Sequence, residues 1–191
     1  MRESAKENSK VITDLRYFGE EHVPVIAEAL RIAEELVSER YKLSTREWLS
    51  HPYEVLTLKA DYHMDRQSNA FAVLKKARPW DGAYFLCRHL KELYLICLQD
   101  HLILKAMGRD DRLELFPLML YIFTHELVHI VRFAKFFQRF DVDHDKREHE
   151  ENIVYNITAD VLSKFSFKGI DYILSCYQES KYHITSYKGG A

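Results

Sequence analysis

Two histidines four residues apart, with a glutamate directly after the first, are the residues of this chain best suited to chemistry: Thr124-His125-Glu126-Leu127-Val128-His129-Ile130. On a helix of 3.6 residues per turn this spacing brings both imidazoles to within about 40° on one face and about one turn apart, so both can reach one tetrahedral ion. Glu126 lies about 100° from His125 around the axis, placed to take a proton from an attacking water without becoming a ligand. Random placement of the chain's ten His and its Glu in 191 positions yields about 0.05 such motifs, so chance is a weak explanation. The flanking residues are Leu, Met, Ile, Phe and Val, and a polar stripe through such a helix is costly to bury unless something pairs with it. One metal ion is the most economical partner.

A third protein ligand is expected from the next helical pattern, which begins Asp145-Lys146-Arg147-Glu148-His149-Glu150-Glu151-Asn152. Its apolar positions Ile153, Val154, Ile157 and Val161 extrapolate back to position 150, so Glu150 is expected to point at the core. Glu151, aligned with Val154 and Leu162, comes next, and then His149, which projects with Asn156 and Asp160. A calcium loop is the competing reading of Asp141, Asp143 and Asp145. It fails because position six is Lys146 rather than Gly and position twelve is Asn152 rather than Glu. A di-iron bundle would need a second Glu-x-x-His on another helix, and the chain has none.

At these residues the chain resembles the zincins, zinc metallopeptidases built around His-Glu-x-x-His on an active-site helix. The resemblance spans about 40 residues, from Leu118 to Leu162, and the Glu on a following helix makes it gluzincin-like. Glu148-His149-Glu150-Glu151-Asn152 is also similar to the Glu-x-Glu-Ala-Asn element of ImmA/IrrE-type peptidases, which again implies Glu150 as the ligand. The chain departs from that pattern at Val128, where those proteins have Gly, and at Glu151, where they have Ala. Lys135 in place of a third His removes the metzincin extension.

The resemblance implies hydrolysis of a peptide or protein substrate, with one Zn2+ on His125, His129 and Glu150 and with Glu126 as general base. It implies an oxyanion partner, for which Tyr155, Tyr177, Tyr182, His149 and His183 are candidates. It also implies a small sheet ahead of the active-site helix whose edge strand takes up substrate, Glu92 to Leu98 being the expected edge. The alternative is a protein that keeps the fold and the zinc as a regulator or scaffold without turnover.

These residues need elements to position them, and the patterning predicts an α+β fold with a small antiparallel sheet packed on helices. Val23, Ile26, Ala27, Leu30, Ala33, Leu36 and Val37 predict a helix over Glu20 to Tyr41, and Ser44 with Glu47 predicts a capping box for a short helix. Tyr53 to Tyr62, Phe71 to Lys76, Tyr84 to Arg88 and Glu92 to Leu98 read as strands, with a turn at Pro79-Trp80-Asp81-Gly82. For Arg88 to Leu104 the apolar run leaves helix and strand both open. Helices follow over Leu113 to Phe140, Lys146 to Phe165 and Asp171 to Gln178, and 1–15 and 186–191 read as frayed tails.

At 191 residues the chain fits a single domain, 1–191. With 27 Lys plus Arg against 29 Asp plus Glu there is no general attraction to nucleic acid or to an anionic membrane, and Lys75, Lys76 and Arg78 are too small a cluster to supply one. The longest apolar run, Leu113 to Phe123, is interrupted by Glu114 and Pro117, which argues against a membrane span. A polar Met1 to Lys10 carries no secretory pattern, and Cys87, Cys97 and Cys176 form no disulfide framework, so a cytoplasmic protein is expected.

Overall fold

Helix α1, Val23–Tyr41, starts with Pro24 in its first turn, where the missing N–H has no intrahelical partner to lose. Its buried residues Ala29, Ala33, Leu36 and Val37 form one stripe, and two of them are small enough to let a neighbouring helix approach closely. The helix ends where Lys42 adopts a left-handed φ of 54° and donates its N–H to the Glu39 and Ser38 carbonyls. Helix α2, Thr45–Ser50, opens with the expected capping box: the Ser44 side chain accepts from the Glu47 N–H and the Glu47 carboxylate accepts from the Ser44 N–H.

In the computed structural model, which describes residues 16–60, 69–77, 93–135, 144–178 and 185–188, the remaining elements follow in order. They are β1 Tyr53–Leu56, β2 Ala72–Ala77, β3 Leu93–Leu98, α3 Asp100–Met107, α4 Leu115–Ala134, α5 His144–Leu162, α6 Ile170–Gln178 and β4 Thr185–Lys188. The fold is α+β. The expected strand at Tyr84 to Arg88 and the turn at Pro79 to Gly82 lie outside the described residues, as does the tail 1–15.

The sheet is mixed, with order β1-β3-β2-β4, and this corrects the antiparallel expectation. Only β2 and β3 pair antiparallel; β1 runs parallel to β3, and β4 parallel to β2. Strand β3 is therefore central rather than an edge, and all six of its residues are buried. An unbroken apolar run covered on both faces is the pattern of an interior strand. Among the described residues the outer strands are β1 and β4, so residues 186–188, expected to fray, instead pair with β2. The expected strand from Tyr53 stops at Leu56, and the described part of the open stretch Arg88 to Leu104, from Leu93 on, resolves into β3 followed by α3.

Sheet alternation splits the core in two. Ala72, Leu74, Tyr94, Ile96 and Leu98 pack with the helices, whereas Val73, Leu93, Leu95 and Cys97 form a smaller cluster with Leu58 on the other face. At the centre of the helical layer lies α4, which packs along α1 and also meets α5 and α6. Sixteen of its twenty residues are buried. It is long and apolar enough to cross a membrane by length and composition, but 89% of its apolar window is covered by protein. Gly169 permits the approach of α6: its φ is +84°, and a Cβ there would lie 3.2 Å from Pro117 Cγ.

Asp100, wholly buried at the start of α3, ties the sheet layer to the chain that leads into α1. Its two carboxylate oxygens accept the backbone N–H groups of Phe18 and Leu58, each at 3.2 Å. Burial pushes its carboxyl above the ordinary range, with these donors working against that shift. Replacing Asp100 by Ala orphans two buried donors, so a loss of about 2–5 kcal/mol is expected in urea unfolding, with a smaller loss for Asp100→Asn. A loss below about 0.5 kcal/mol would show that water replaces the carboxylate.

Candidate metal centre

Four aromatic rings stand one above another along α4, at Tyr121, His125, His129 and Phe133, because residues four apart share a helix face. Tyr121 stacks on His125 with centroids 6.1 Å apart, and Phe133 on His129 at 5.6 Å. From β3, Tyr94 continues the column by stacking on Phe133. The imidazoles are thus held by apolar rings on either side and are 2% and 0% exposed. Thr124, next to His125, satisfies its own hydroxyl by donating to the Leu120 carbonyl at 2.7 Å.

The two Nε2 atoms face each other at 3.1 Å, and one carboxylate oxygen, Oε2 of Glu151 on α5, lies 3.3 Å from both. A tetrahedral ion with bonds of about 2.0–2.1 Å requires its ligand atoms to be about 3.3 Å apart, so the three edges fit one cation. A proton can bridge only one edge of the triangle at a time; a cation satisfies all three. His125, His129 and Glu151 therefore form a donor set suited to a metal ion.

Glu150 is the first choice on periodicity, but the acid that the structure brings to the two imidazoles is Glu151. Glu150 does point inward, at 2% exposure, but its carboxylate is held at two points by Arg132, from Nε at 2.5 Å and from the second terminal nitrogen at 2.8 Å. The buried face of α5 runs through Glu150, Val154, Thr158 and Val161, so wholly buried Thr158 turns the inward stripe toward Glu151 relative to the apolar residues alone. His149 is exposed and is not brought to the histidines.

Burial is the largest influence on Glu151, His125 and Glu126. It opposes ionisation of Glu151, but His129 and His125 together outweigh it and hold that carboxyl far below its usual range. It pushes His125 below the usual imidazole range, against the pull of Glu151, which favours the neutral ring that a metal requires. Glu126 is pushed well above the carboxylate range by burial, with the charge of Glu151 adding to the shift. Both Glu126 oxygens are buried and have no hydrogen-bond partner among the described residues.

Of the oxyanion candidates, Tyr155 is the one placed near the centre: it sits one turn after Glu151, and its charge influences Tyr121, which stacks on His125. Tyr177 lies on α6 with its side chain outside the description, and Tyr182 and His183 are outside the described residues. Sequence reasoning missed Arg132 and the ring column. The signal for the column was present, since Tyr121 and Phe133 flank the histidine pair at the same four-residue interval.

An ionisable group buried without a partner destabilises its own fold, a familiar signature of a working site. Glu126→Met is therefore expected to raise the stability of chelator-treated protein by about 1–3 kcal/mol in urea unfolding. A decrease would show that the carboxylate is paired in solution. Comparison with protein-family models, with curated proteins and with solved structures finds no match.

Proposed function

We propose that the chain is a zinc-dependent peptidase of the zincin type, with His125, His129 and Glu151 as ligands of one Zn2+ and Glu126 as general base. The observation that carries this reading is the three-atom donor triangle beside a buried carboxylate, Glu126, that has no hydrogen-bond partner among the described residues. Two imidazoles and a carboxylate at tetrahedral spacing are a donor set that suits zinc. Three protein donors among the described residues match a catalytic site, whereas structural zinc sites take four.

A bound Zn2+ supplies Lewis acidity, lowering the pKa of water toward about 7 and polarising the scissile carbonyl. Glu126 would accept the proton of the attacking water and pass it to the leaving amine. The apolar rings of Tyr121, Phe133 and Tyr94 restrict water at the site and fix the ligand rings. Substrate added as a strand would join β1 or β4, the outer strands among the described residues, rather than β3. One observation favours the alternative of a zinc-holding regulator without turnover: His125, Glu126 and His129 are almost completely buried, and only the Glu151 side chain, at 30%, reaches solvent.

Purified protein is expected to hold about one zinc by elemental analysis, and His125→Ala to lose it. Glu126→Gln is expected to keep the zinc and to lower cleavage of a fluorogenic peptide library at least 10²-fold. Zinc retained with no cleavage that depends on Glu126 favours the regulator. Protein without any metal overturns both readings.

A further inference from the structure

We infer that Arg132 and Glu150 are positioning residues for the metal centre: their buried, two-point ion pair sets the register at which α5 meets α4 and so holds Glu151 on the imidazoles. The inference rests on the reading of His125, His129 and Glu151 as a metal site. Going down α4 from Arg132 through His129 and His125, the partners on α5 advance from Glu150 to Glu151, so the two helices run antiparallel at this contact. Arg132 follows His129 by three residues and His125 by seven, which places all three on one stripe of α4.

Helix α5 answers that stripe with two consecutive carboxylates whose directions diverge by about 100°. Either could in principle meet the imidazoles, since each lies beside the buried stripe of α5. The arginine fork decides between them. It is planar, charged at every relevant pH and matched to a carboxylate at two points, so it withdraws one acid from competition and leaves the other for the histidines. The pair is well covered, with side chains 13% and 3% exposed, and a buried pair of this kind selects one arrangement more than it adds stability. From the end of α1, Tyr41 lies close enough to the pair for the Arg132 charge to act on its phenol, so three helices converge on the pair.

The test uses Co2+ as the probe, its affinity measured by competition with a chelating dye and its ligand field by visible absorption. Arg132→Met and Glu150→Gln are expected to weaken Co2+ binding by about 10–100-fold and to alter the absorption bands, with Arg132→Lys intermediate and the exchange Arg132→Glu with Glu150→Arg restoring both. Glu151→Gln is expected to weaken binding more than Glu150→Gln. A purely structural pair would lower the unfolding temperature while the folded variants bound Co2+ as wild type does. The inference is overturned if folded Glu150→Gln, the isosteric variant that carries the test where Arg132→Met does not fold, binds within about 3-fold of wild type with unchanged bands. It is also overturned if Arg132→Met strengthens binding, which would make Glu150 a ligand that the arginine restrains. Wild-type protein that fails to bind Co2+, or binds it regardless of His125→Ala, overturns the metal centre itself.

Discussion

The interior of α4 contains two imidazoles and a carboxylate with almost no access to water, and such groups are tolerated in an apolar core only when other groups meet them. Much of the surrounding structure can be understood as meeting that demand. Apolar rings above and below fix the imidazole planes, and α5 brings an acid to their free edges. The arginine one turn further along α4 takes the neighbouring acid. Glu126 is left over, a buried carboxylate with no hydrogen-bond partner among the described residues.

The sheet and the outer helices serve this arrangement at a distance. Helix α1 covers one side of α4 through a stripe containing two alanines, and α6 is brought close through Gly169. On the sheet side, Tyr94 of the central strand extends the ring column, so the strand's burial on both faces bears directly on how rigidly the histidines are held. A site carried on two packed helices and supported from a strand is set more firmly than one built on loops.

What could be read in advance follows the range of the signal. His125, Glu126 and His129 were legible because a four-residue interval on one helix is a local geometry, and so were α1 and the cap at Ser44. The buried character of Leu93 to Leu98 was legible too, but its place in the sheet was not. Alternation along a strand says which face is inward and nothing about which neighbours it will have. Glu150 and Glu151 show the same limit at the scale of one residue. Both lie near the inward face of α5, and the choice between them is made by Arg132 on another helix, together with a buried threonine that an apolar count does not register.

Glu151 stands 26 residues from His125 and 22 from His129, so the contact that assembles the donor set also closes a loop between two helices. Closing a loop of that length removes several kcal/mol of chain entropy from the unfolded ensemble when the link is permanent, about 3–4 kcal/mol on the scale used for disulfides. A link made through a bound ion has the same topology but can be undone. An ion held by the centre would act as a reversible staple, tightening the contact between α4 and α5 while it is bound. Occupancy and local order at this end of the molecule become one thermodynamic variable.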